Sequence, residues 1–117
     1  MNFPASLWSL PPALLLWVAI LAEVIATVSL KLAEGFTRPW PLVAVAVGYA
    51  IAFFLLSAVL ETLPVGIVYA IWAGSGVAGA ALAGALLFGE RIGLPEIAGF
   101  LLIILGVVLL TLRARAH

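Results

Sequence analysis

Three stretches of the sequence, Pro39 to Leu60, Thr62 to Gly89 and Ile97 to Leu112, carry no charged side chain, and a fourth, Met1 to Leu30, carries only Glu23. A helix needs about 20 apolar residues to cross a bilayer. The gaps therefore predict four membrane spans, near residues 12–32, 41–60, 64–88 and 95–112. The turns between them hold only a few residues, which leaves no linker or soluble lobe. The expected fold class is all-α: a tight four-transmembrane-helix bundle forming a single integral membrane domain over residues 1–117. The composition agrees, because 67% of the chain is hydrophobic against roughly 45–50% in an ordinary soluble domain. A mean hydropathy of +1.37 makes membrane lipid the expected solvent.

Several functional classes lack material. Five basic residues balance five acidic ones, so the basic excess of a nucleic-acid binder is missing and no nucleic-acid partner is expected. There is no cysteine, and the single histidine is His117. Thiolate or imidazole metal sites, catalytic triads and other enzyme constellations are therefore not expected. Gly74-Ser75-Gly76-Val77-Ala78-Gly79 fits the dinucleotide pattern G-x-G-x-x-G. That fingerprint needs a preceding strand and a soluble βαβ unit, whereas these glycines lie inside an uncharged span. Close helix packing or a helix bend at Gly74 and Gly76 is the better reading, with Gly76, Ala80 and Gly84 forming a row of small residues.

The breaks between spans have suitable chemistry. Pro12, Pro41, Pro64 and Pro95 stand where helices could begin, and Gly35, Gly89 and Gly93 stand at or just past helix ends. Trp8, Trp17 and Trp40 lie near the expected interfaces, where indole is favoured. The first ten residues lack a basic n-region, so the first span is expected to stay attached rather than act as a cleaved signal.

Glu23 is the exception to this pattern. Eleven residues past Pro12, at about 1.5 Å per residue, it falls near the middle of a hydrocarbon core about 30 Å thick. An acidic side chain there costs roughly 2.5–3.5 kcal/mol on insertion scales. An intramembrane carboxyl is therefore a functional candidate, with helix-to-helix hydrogen bonding as the structural alternative. By helical spacing Ala19, Ala22, Glu23, Ala26 and Thr27 share one face, while Trp17, Ile20, Leu21, Val24 and Val28 form a bulky face suited to lipid. Glu34, Glu61, Glu90 and Glu96 lie at helix boundaries and read as solvated caps or dipole partners. The third span places Tyr69, Trp72, Ala73 and Gly76 on one face, and Tyr49 is the only phenol of the second. Aromatic faces attract desolvated cations, and a carboxylate nearby supplies the charge partner.

These residues resemble the small multidrug resistance family over about residues 14–112. The matching strings are Ile20-Leu21-Ala22-Glu23-Val24, Glu34-Gly35-Phe36-Thr37-Arg38 with Trp40-Pro41, and Pro64-Val65-Gly66-Ile67-Val68-Tyr69-Ala70-Ile71-Trp72, followed by Gly99 and Gly106. The resemblance implies a multi-pass protein of the bacterial inner membrane that works as an antiparallel homodimer. It would exchange protons for small organic cations and use no cofactor beyond the coupling proton. Both copies of Glu23 would form the shared site, Tyr49, Tyr69 and Trp72 would line it, and Ala19, Ile20, Ala26 and Thr27 match positions on the binding face. Gly99 and Gly106 match the glycine pair through which fourth helices dimerise. Ala26 stands where multidrug members often carry glycine, Ala52 replaces a serine and Phe54 a tryptophan. Thr27 and Tyr49 resemble the branch that exports quaternary ammonium ions rather than the guanidinium branch.

The expected activity is therefore proton-coupled export of hydrophobic quaternary ammonium or aromatic cations. Proton and cation would compete for the same carboxylates, and alternating exposure of that site would couple their opposite flows. The alternatives are a guanidinium exporter and a non-transporting membrane interaction protein in which Glu23 only joins helices. Basic residues near the span ends are almost balanced, with Lys31, Arg38 and Arg91 on one side and Arg113 and Arg115 on the other. So weak a bias predicts that both orientations occur.

Overall fold

The computed structural model describes residues 11–115. Trp8 and His117 lie outside the described residues, as does the side chain of Arg115. Four helices follow in order: α1 (Pro12–Leu32), α2 (Pro39–Val59), α3 (Val65–Phe88) and α4 (Leu94–Arg115). Each is long and apolar enough to cross a membrane.

Proline chemistry sets the helix starts. Pro12 opens α1 and Pro39 opens α2, positions where the missing N–H costs no helical bond. Pro64 is the N-cap of α3. At the start of α4, Glu96 Oε2 accepts the backbone N–H of Gly93 at 3.0 Å, the return half of a capping box. Helix α3 ends where Gly89 turns left-handed at φ 65°, a conformation glycine adopts without a Cβ clash. The α1–α2 turn holds Glu34, Gly35 and Phe36 all at positive φ, and the Thr37 hydroxyl braces it by donating to the Glu34 carbonyl at 2.7 Å.

The core lies where α1, α2 and α3 meet. Leu15, Leu16, Ala19 and Ile20 of α1 pack with Leu55, Ala58 and Val59 of α2 and with Val68 and Ile71 of α3. Ile20 is therefore a core residue, contrary to its expected place on the lipid face. It points into the wedge where α3 joins the α1–α2 pair, whereas Trp17 and Leu21 beside it are exposed as expected.

The bundle is looser than the tight one expected from its short turns. Helix α4 packs chiefly against α3, and its 20-residue span has none of its most apolar stretch buried. Leu94, Leu101, Leu102, Leu105 and Leu109 are exposed. A helix apolar on every side needs no polar stripe toward water when its neighbours are lipid or a second chain. Where α4 does meet α3, Gly74 makes the approach possible, because a Cβ there would stand 2.6 Å from Val107 Cγ2 and 2.9 Å from Ile103 Cγ2. Helix α3 stays α-helical through Gly74 and Gly76.

The ends of the bundle follow from two contacts. Lys31 at the end of α1 forms an ion pair with Glu90, just past α3, and its ammonium lies 4.6 Å from the Phe88 ring centroid. The α1–α2 and α3–α4 turns therefore share one end. At the other end Pro12, Leu63 and Thr111 border one apolar cleft, so the helices run alternately up and down. Glu90, half-exposed at the boundary as expected, is also an ion-pair partner.

Candidate functional site

Glu23 is half-buried midway along α1. One turn further, Thr27 Oγ1 donates to Glu23 Oε1 at 3.0 Å. The Thr27 hydroxyl also lies 2.8 Å from the Tyr49 hydroxyl of α2. Three oxygens from two helices thus form one hydrogen-bonded row.

This junction depends on a close approach of α1 and α2. Gly48 faces Ala26, and a Cβ on the glycine would stand 2.8 Å from Ala26 Cβ and 3.0 Å from the Ala22 carbonyl oxygen. Ala26 is fully buried at that crossing. The small face of α1 therefore divides: Ala19 and Ala26 pack inside the bundle, while Glu23 and Thr27 reach its open side.

Two grooves meet at the Glu23 carboxyl. The first, about 220 Å³, is lined by Glu23, Tyr49, Phe53 and Leu56, with Val65, Tyr69 and Trp72 closing it from α3. Its aromatic rings are ordered. Tyr49 and Phe53 stack with centroids 6.2 Å apart, and Phe53 and Trp72 do the same at 6.2 Å. The second groove, about 260 Å³, runs along Trp72, Ala73, Gly76, Val77 and Ala80. A Cβ on Gly76 would lie 3.4 Å from Glu23 Oε2, so the small residues of α3 leave that oxygen its space.

The structure brings Glu23, Thr27, Tyr49, Tyr69, Trp72 and Gly76 together. Ala19, Ile20 and Ala26 line neither groove; they are buried between helices. Gly74 lies on the side of α3 that faces α4. Gly99 and Gly106 lie on α4 with open space where a side chain would begin. Phe53 was not singled out from sequence, although it follows Tyr49 by four residues and so shares its helix face. That spacing was the available signal.

The chemistry of such a site is specific. A carboxylate with aromatic faces around it, set in an apolar wall, suits a lipophilic cation: the charge pairs with the carboxylate and the organic groups meet the rings. Nothing in either groove resembles a nucleophile with its base.

Comparison with known proteins gives the same direction. The model of the small multidrug resistance protein family matches residues 12–103. A multidrug transporter of Pseudomonas aeruginosa is 47% identical over 103 residues, covering 88% of this chain and 94% of the relative. The multidrug transporter EmrE of Escherichia coli is 45% identical over 105 residues, covering 90% and 96%. The quaternary ammonium compound-resistance protein QacE of Escherichia coli is 46% identical over 103 residues, covering 88% and 94%. A family match across all three core helices, joined to relatives this similar along nearly their whole length, establishes that the chain belongs to the small multidrug resistance family.

Proposed function

We propose that this protein exports hydrophobic quaternary ammonium and aromatic cations across a bacterial inner membrane in exchange for protons, with Glu23 binding proton and substrate in turn. The observation that carries this reading is the place of the Glu23 carboxyl, at mid-span and at the meeting of an aromatic groove with a small-residue groove. Relatives named as multidrug transporters and as quaternary ammonium resistance proteins support the substrate class.

The working unit is an antiparallel homodimer. Both grooves are open on the protomer, and α4 offers an apolar face with Gly99 and Gly106 bare of side chains, which suits close packing of a second helix. Two protomers of opposite orientation would supply the inverted symmetry that many transporters encode as an internal repeat. Their two Glu23 residues would then meet near the midplane.

Transport by the purified protein in liposomes under an imposed pH gradient tests the proposal. An aromatic quaternary ammonium should accumulate against its gradient, faster than guanidinium. Guanidinium transport alone would assign the protein to the other branch, and no transport of either ion would reject export.

A further inference from the structure

The row Glu23–Thr27–Tyr49 has a direction. A hydroxyl has one proton to give. When Glu23 is ionised it can only accept, so Thr27 spends its proton on Oε1. The 2.8 Å contact between Thr27 and Tyr49 must then be made by the Tyr49 O–H donating to Thr27. Tyr49 lines the aromatic groove, and with its proton spent on Thr27 its oxygen keeps only lone pairs to offer.

Protonation of Glu23 changes the count. The carboxyl now has an O–H to donate, and Thr27 Oγ1, 3.0 Å from Oε1, is the acceptor beside it. Among the described residues lining the groove on the Oε2 side, Trp72, Ala73, Gly76, Val77 and Ala80, no side chain offers an acceptor. With a proton on Oε1, two hydrogens cannot share the gap to Thr27. Thr27 turns its own O–H to Tyr49, and Tyr49, now an acceptor, turns its proton into the groove. No covalent bond beyond the Glu23 O–H forms or breaks; one proton is added and two hydrogens reorient.

We propose that Thr27 is a positioning residue that transmits the protonation state of Glu23 to the Tyr49 hydroxyl, so that the groove turns lone pairs toward a cation when Glu23 is ionised and an O–H dipole against it when Glu23 is protonated. The proposal rests on the proton–cation exchange described above and adds to it a second, amplifying term. In the proposed antiparallel dimer the second copy of Glu23 also faces the carboxyl, and within one chain the other titratable groups around it are few. Tyr49 faces it from α2 and Tyr69 borders the same groove from α3, while among the described residues α4 brings none to either groove.

The test is cation affinity in acidic and alkaline buffer for the full-length protein, using one aromatic quaternary ammonium as probe. In wild type the alkaline affinity exceeds the acidic one. Thr27→Val, which keeps the shape and removes the hydroxyl, should shrink that ratio by roughly threefold to tenfold, the scale of one hydrogen bond. Thr27→Ser should restore it. Tyr49→Phe should shrink it as well, and the double variant Thr27→Val with Tyr49→Phe should go no further than either alone. A spectroscopic readout accompanies these: the chemical shift of isotope-labelled Tyr49 Cζ should follow the titration of Glu23 in wild type and in Thr27→Ser, and cease to follow it in Thr27→Val. An unchanged ratio in Thr27→Val or Tyr49→Phe, or a Tyr49 signal that still tracks Glu23 without the Thr27 hydroxyl, would overturn the relay. Failure of the underlying exchange looks different: Glu23→Gln would then bind the probe with wild-type pH dependence.

Discussion

Gly48 of α2 lies so close over Ala26 of α1 that a methyl group on the glycine would stand 2.8 Å from the alanine's Cβ and 3.0 Å from the carbonyl oxygen of Ala22. Backbone cannot yield as a flexible side chain can, so Gly48→Ala should force α1 and α2 apart. Overpacking of this kind costs roughly 1–3 kcal/mol. Tyr49 moves with its neighbour, and its hydrogen bond to Thr27 is lost with the shift. Gly84→Ala provides the contrast, because the atoms nearest to the added methyl all belong to the half-exposed Glu90 side chain rather than to backbone. Thermal unfolding in detergent should show a clear loss for Gly48→Ala and almost none for Gly84→Ala; equal losses would mean that the α1–α2 crossing is not the tight point.

The aromatic groove should matter more for organic cations than for protons. Trp72 contributes ring surface but no titratable group, and a desolvated cation on an aromatic face gains roughly 2 kcal/mol. Trp72→Ala should therefore weaken an aromatic quaternary ammonium by roughly 30-fold while leaving proton uptake at Glu23 near its wild-type course. Calorimetric titration with the cation, beside a potentiometric titration of the protein alone, separates the two. A loss of proton uptake as large as the loss of cation affinity would show that Trp72 acts through the carboxyl instead.

The four spans were legible because charge exclusion from a hydrocarbon core is a one-dimensional rule: nine of the ten charges, all but Glu23, lie at span ends or in the turns, and α2, expected from residue 41 and found from Pro39 to Val59, differs by only a residue or two at either end. Glu23 stood out for the same reason. What sequence could not give was which apolar face meets which helix. Lipid and protein interior reward the same side chains, so Ile20 read as lipid-facing although it fills the core, and Gly48 drew no attention although α1 and α2 cross there. Phe53 was hidden in the same way: an aromatic residue in a membrane helix is ordinary until Tyr49 and Trp72 are found stacked on both sides of it. The Lys31–Glu90 pair joins residues 59 positions apart, a distance over which helix periodicity carries no information.

Orientation in the membrane should be easy to tip. Lys31 and Arg38 lie at the same end as Arg91, against Arg113 at the other end, with Arg115 beyond it in sequence. A difference this small leaves insertion nearly unbiased. Adding two or three lysines to one end should fix a single orientation and lower export, with recovery when an oppositely biased variant is co-expressed. The chain has no cysteine of its own, so a single cysteine placed near the C-terminus reports the facing of every copy. Wild-type chains labelled from one side only would sink the antiparallel arrangement.

The most direct measurement of the central claim is proton release when a quaternary ammonium is added to the purified protein in weakly buffered detergent. If cation and proton compete for the Glu23 carboxyl as proposed, the wild-type protein should release protons on binding, most where Glu23 begins protonated, and cation affinity should rise as the medium is made more alkaline. Glu23→Gln keeps the size of the side chain and its ability to hydrogen-bond to Thr27 but has no proton to exchange; it should release none. Saturable cation binding by the wild-type protein without proton release, or equal release from Glu23→Gln, would contradict exchange at this residue.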